Sequence, residues 1–175
     1  MEHRLALPFD PSTLTSLSAG DTVLLSGTLY TARDAAHQRF AALLAQGQPL
    51  AIPKGCCIYY AGPCPAAPGE IIGPCGPTTS KRMDGITPKL VDYGVTAFIG
   101  KGPRSQAVKD AMQGRAVYFA ATGGAGMLYA RCITACEVAA FPELGPEAVY
   151  RLTVNDFPVI VATDFAGNDL YQLVR

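Results

Sequence analysis

Six prolines, Pro49, Pro53, Pro63, Pro65, Pro68 and Pro74, crowd the middle of this chain. Each removes a backbone donor and fixes its own φ, so little regular helix can live between Gln48 and Gly76. Turns are expected there, with a short strand at Cys57 to Tyr60 and another around Glu70 to Ile72. The regular elements of the fold must therefore be built on either side of this segment.

Upstream, Thr22 to Leu29 is a run of apolar and branched residues that predicts a strand. The period then changes. Ala36, Phe40, Leu43 and Leu44 recur at helical spacing, with Thr31 as the expected N-cap, Asp34 three positions later and Gly47 as a stop. On this reading Arg33 falls in the first turn.

Downstream, a helix is expected from about Ser80 to Tyr93, interrupted or restarted at Pro88. Thr96 to Ile99 predicts a buried strand whose end delivers Lys101 between Gly100 and Gly102, and Ser105 caps a helix running to Met112. A strand over Ala116 to Ala121 leads through Thr122-Gly123-Gly124-Ala125-Gly126 into a short helix or bend. Glycines at 123 and 124 permit close backbone approach, either to a ligand or to a neighbouring segment. Two further strands, Tyr150 to Val154 and Val159 to Thr163, are expected on either side of Asn155-Asp156-Phe157-Pro158. The order is that of a mixed α/β domain, and 175 residues fit a single one spanning 1–175.

Composition narrows the function. Hydrophobic residues make up 49% and charged residues 16%, a balance that points to apolar surface meant for a partner. Fourteen basic residues offset fourteen acidic ones, so no overall field favours nucleic acid or an anionic membrane, and anion recognition must be local. No apolar run approaches the ~20 residues of a membrane helix, and Met-Glu-His-Arg-Leu does not read as a secretory leader. A cytoplasmic location is expected. The cysteines at 56, 57, 64, 75, 132 and 136 are read as reduced thiols, because a chain of this size needs no disulfide staples, and as small buried or loop residues, because their spacing matches no metal-ligand pattern. Without a Cys-x-x-Cys pair, a thiol redox protein is the weakest of the candidate classes.

Local anion recognition has two candidate sites. In Gly-Pro-Thr-Thr-Ser-Lys-Arg-Met-Asp, residues 76 to 84, hydroxyls and cations sit on a turn that should open a helix, where unpaired N–H groups carry partial positive charge. Thr78, Thr79, Ser80 and Arg82 would grip a carboxylate there. The second site is Thr31 to His37, in which Arg33 and His37 lie four apart on one helix face with Asp34 beside them. Arg33 and Arg82 offer planar forks and Lys101 a point charge, whereas Lys109 and Arg115 read as solvated surface cations.

These segments, together with Gly100-Lys101-Gly102, Gly123-Gly124, Leu144 to Ala148, Asp156 to Pro158 and Gly167 to Asp169, resemble in order the C-terminal, or beta-type, part of the iron–sulfur hydro-lyases. That family comprises class I fumarate hydratases and L-tartrate dehydratases. The resemblance implies a three-layer swivelling-type β/β/α domain with a mixed sheet. It also implies a [4Fe-4S] cluster held by an alpha-type iron–sulfur subunit and not by this chain, an active site straddling the two, and homodimerisation within a heterotetramer.

Hydration of a C4 dicarboxylate needs cationic grips for both carboxylates, a proton-transfer group at one carbon and a Lewis acid for the hydroxyl at the other. All but the Lewis acid have candidates here. The resemblance assigns Thr78 to proton transfer, with Thr79 as the competitor. Arg33, Arg82, Lys101 and Thr79 are the expected substrate-binding residues, and Asp34, His37, Gly123 and Gly124 the supporting ones. Fumarate hydratase is the expected activity, with L-tartrate and mesaconate as rival substrates. A stand-alone dicarboxylate-binding module without chemistry is the alternative class.

Overall fold

The computed structural model describes residues 1–173. Seven strands carry the fold: β1 (Glu2–Leu7), β2 (Thr22–Thr31), β3 (Cys57–Tyr59), β4 (Ala97–Gly100), β5 (Val117–Ala120), β6 (Ile133–Ala140) and β7 (Val149–Thr163). β2, β3, β4 and β5 lie side by side and parallel, with Tyr30 opposite Ile58, Ile58 opposite Phe98 and Phe98 opposite Tyr118. β7 runs antiparallel and pairs with both ends of that row, with β2 along Arg151–Ile160 and with β5 along Ile160–Thr163. The five strands therefore close into a barrel-like ring. β1 lies parallel beside the first half of β2, and β6 antiparallel beside the first half of β7.

Because successive strand residues point to opposite faces, the ring has two cores. Leu25, Leu29, Tyr59, Ile99, Phe119, Phe157 and Val161 belong to one buried cluster. The alternate residues Ile58, Phe98, Tyr118 and Ala162 belong to a second, with Ala36 and Phe40 from α2 (Asp34–Ala45), Leu90 and Val91 from α3 (Thr87–Tyr93), and Val108 and Met112 from α4 (Gln106–Met112). Strands buried on both faces read as continuous apolar runs, which is the pattern of Ala97–Gly100 and Val117–Ala120. Full burial of a side chain such as Phe98 contributes about 1.5–3 kcal/mol before entropy is counted.

The mixed α/β expectation holds, with local differences, and β1 and β6 form where no strand was expected. Thr31 is not a cap: β2 extends to it, and its hydroxyl accepts the Tyr150 N–H at 3.0 Å. The N-cap is Arg33, which precedes α2 instead of lying in its first turn. No strand forms at Glu70 to Ile72, because the flanking prolines lack donors and the loop closes on itself through Cys64, whose N–H and carbonyl take Pro74 and Gly73. The restart expected at Pro88 is present: after a 3-10 turn, Ser80–Met83, α3 begins with Pro88 in its first turn. The two tail strands are one, β7, which crosses Asp156 at φ 49° while Phe157 plugs the core.

Candidate functional site

The parallel strands β2 to β5 all end at one edge, and the candidate residues follow those ends. Arg33 comes just after β2, Lys101 directly after β4, and Gly123 three residues after β5. Parallel strands, in open sheets and closed barrels alike, bind ligands at their carboxyl ends, where the connecting loops gather.

The Thr78–Ser80 segment wedges between two of these ends. The Thr78 N–H donates to Tyr60 O at 2.7 Å, the Ser80 N–H donates to Lys101 O at 3.0 Å, and Thr79 bridges Lys101 in parallel register. Two of the N–H groups expected to be free for an anion are thus already used, and the expected helix start is a single 3-10 turn. Ser80 is not part of a grip either: it is fully buried, and its hydroxyl bonds Tyr118 OH at 2.8 Å. Gly100 makes room for it, since a Cβ there would stand 1.9 Å from Ser80 Oγ.

Two guanidiniums flank this wedge. Arg33 Nε stands 3.4 Å from Asp34 Oδ2 and 3.3 Å from Glu147 Oε1, and Arg82 Nη2 donates to Asp34 Oδ2 at 3.0 Å. Asp34 therefore ties Arg33 to Arg82, although 48 residues separate it from the latter. Burial works against the charge on Asp34, but its own N–H, Arg82 and Arg33 outweigh that and hold its carboxyl below the usual carboxylate range. The side chains of Arg33 and Arg82 are 32% and 49% exposed, which leaves N–H groups of both for a ligand. Gly62 lies under Arg33, where a Cβ would come within 2.9 Å of its Cδ.

His37 is buried, and its Nδ1 bonds Arg33 O at 2.9 Å. That carbonyl also accepts the His37 N–H, so Nδ1 acts as a donor and Nε2 carries the lone pair. Burial pushes the imidazole down to about 4, so it is neutral at pH 7 and holds the backbone at Arg33. Gly123 lies against Lys101, 3.5 Å from its Nζ to the place a Cβ would occupy, and Gly124 follows, exposed at φ 80°. Eight of the nine candidate residues thus lie along one shelf at the edge of the ring, with Thr79, Arg82, Gly123 and Gly124 facing out and His37 buried behind Arg33.

This order of grips along four strand ends is matched elsewhere. Residues 4–174 fit the family model described as "Fumarase C-terminus". The chain belongs to that family. It is 38% identical over 163 residues to fumarate hydratase 2 of Leishmania major, and 38% identical over 154 residues to the anaerobic class I fumarate hydratase of Escherichia coli. These matches take in 91% and 86% of the chain but only 29% and 28% of the relatives, so the chain spans under a third of their length. A third relative, from Methanocaldococcus jannaschii, bears the name "Putative L(+)-tartrate dehydratase subunit beta". It is 37% identical over 167 residues, with 91% of this chain and 86% of that protein covered.

Within this family member, several residues that hold the shelf escaped the sequence reading. Glu147 accepts the Ala35 N–H at 3.2 Å and faces Arg33, and it lies in the Leu144–Ala148 run that helped carry the resemblance. Arg104, Tyr60 and Tyr118 carry no such signal, because only the fold brings them together. Lys109 is not the solvated cation expected from the sequence: it pairs with Asp169 at 3.0 Å, the two side chains 11% and 3% exposed.

Among the described residues no three His, Cys, Asp or Glu groups stand together where they could hold a metal ion. All six cysteines are free, and burial pushes the Cys56 and Cys75 thiols up to about 12, away from the thiolate a metal requires. No helix among residues 1–173 is long and apolar enough to cross a membrane.

Proposed function

We propose that this chain is the beta-type part of a two-part iron–sulfur hydro-lyase acting on a C4 dicarboxylate, and that the reaction is the interconversion of fumarate and L-malate. The observation that carries the reading is the shelf itself, with Arg33, Arg82 and Lys101 around Thr78 and Thr79 at the ends of the parallel strands. Three cations on one rim suit a dianion. Arg33 and Arg82 take one carboxylate by their free N–H groups, and Lys101 with Thr79 takes the other.

Thr78 then moves a proton at the carbon next to a carboxylate, taking it from malate or returning it to fumarate. Thr79 orients the substrate, while Asp34, His37 and Glu147 hold Arg33 and Arg82 in place. Gly123 and Gly124 let the backbone approach the ligand beside Lys101.

The [4Fe-4S] cluster belongs, on this reading, to an alpha-type iron–sulfur subunit that completes the site from the open side of the shelf. The pair assembles further by homodimerisation into a heterotetramer, in the cytoplasm. Residues 1–175 form one domain of the three-layer swivelling type, a layout supported by the two cores on opposite faces of the sheet.

L-tartrate is the second reading. It is favoured by the M. jannaschii relative, which the chain covers over 86% of its length. Anaerobic co-purification of the chain with its partner, followed by assays with fumarate, L-tartrate and mesaconate, tests both. Activity on fumarate that falls about a hundredfold or more in Thr78→Ala supports the proposal. Dicarboxylate binding by the chain alone, with no partner and no turnover, would instead identify a binding module.

A further inference from the structure

The guanidinium of Arg104 lies beneath the shelf and touches both halves of it. Its side chain is 0% exposed. Nε donates to Asp84 Oδ1 and Nη2 to Thr87 Oγ1, each at 2.7 Å, and its central carbon stands 5.1 Å from the Tyr60 ring and 4.9 Å from the Tyr118 ring. The partners fan out to the shelf. Asp84 closes the Ser80–Met83 turn and accepts the Ser105 N–H at 2.7 Å. Tyr118 OH reaches Ser80 Oγ and Gly102 O, each at 2.8 Å, and Tyr60 supplies the carbonyl that takes the Thr78 N–H.

We propose that Arg104 is a positioning residue that fixes Lys101 against the Thr78–Arg82 turn. Lys101 sits three residues before Arg104, between β4 and the Asp84–Ser105 contact, so both ends of its short loop are held. The arrangement is costly. Nη1 is buried without a partner, and a buried charge balanced by one carboxylate is often no more stabilising than an apolar side chain of the same volume. What the guanidinium supplies that an apolar group lacks is direction, since its planar fork fixes the Asp84 and Thr87 contacts at once.

The proposal rests on the hydro-lyase reading for its consequence but not for its geometry, and the test keeps the two apart. In the complex with the alpha-type subunit, Arg104→Lys is expected to lower kcat/KM at least about tenfold, because misplaced grips cost rate. If it acts through Lys101, adding Arg104→Lys to Lys101→Ala costs less than about threefold more. Losses that multiply overturn the proposal.

Amide exchange on the full chain supplies the second readout. Arg104→Lys is expected to speed exchange at Thr78 and Ser80 about tenfold while Val117, bonded to Thr96 O, keeps its protection. Asp84→Asn serves the same purpose where Arg104→Lys does not fold. Unchanged exchange at Thr78 and Ser80, or uniform loss everywhere, overturns the proposal. A wild-type complex inactive toward fumarate and L-tartrate sinks the hydro-lyase reading, and the exchange result then decides the positioning role alone.

Discussion

Replacing Gly100 with alanine tests whether Ser80 and Tyr118 are the frame under the shelf. The new methyl would stand 1.9 Å from Ser80 Oγ, 2.7 Å from Tyr60 Cδ2 and 3.3 Å from Ser80 Cβ. Ser80 and Tyr60 are both fully buried, so neither swings into solvent. Overpacking a core by one methyl costs about 1–3 kcal/mol. Turning Ser80 Oγ away from Tyr118 strands a buried hydroxyl, for about 1–3 kcal/mol more. The gain from stiffening the unfolded chain offsets roughly 0.4–1 kcal/mol, since Gly100 has no left-handed φ.

The net loss is therefore about 3 kcal/mol, a large part of a stability on the order of 5–15 kcal/mol. Urea unfolding of the full chain, followed by circular dichroism, measures it. Ser80→Ala removes the oxygen in the way, so Gly100→Ala on that background is expected to cost about 1.5 kcal/mol less. A Gly100→Ala variant within about 0.5 kcal/mol of wild type, or an equal cost on both backgrounds, would refute the steric argument.

Two further outcomes follow from buried charges and rings. His37 is held at about 4 by burial, below the ~6.5 of an exposed imidazole, so the unfolded chain takes up its proton first. Its contribution is complete above pH 6.5 and is lost as pH falls toward 4, by about 3 kcal/mol. Urea midpoints at pH 7, 5 and 4 should show this slope in wild type and a flattened one in His37→Gln; parallel slopes would sink the assignment. Lys109→Met leaves Asp169 without its ion partner, and is expected to cost about 3 kcal/mol in the same assay. A cost near zero would mean that the pair is solvated after all.

Much of this protein is local and was legible in its sequence. The apolar runs of β4 and β5, the helical spacing of Ala36 and Phe40, the Ser105 cap and the proline-broken centre each depend on neighbours within a few residues. The sequence order alone also set Arg33 and Lys101 just beyond strand ends, because both sit in short motifs next to periodic runs.

Long-range pairing decided the rest. Asn155 to Pro158 looks like a turn locally, but burying Phe157 while pairing β2 keeps β7 in one piece and closes the ring. Ser80 reads as an anion ligand until Gly100 and Tyr118 draw its hydroxyl inward. Lys109 looks like a surface cation until Asp169 meets it. A charge is stabilised by whatever partner the fold delivers from far along the chain, and no local pattern encodes that partner.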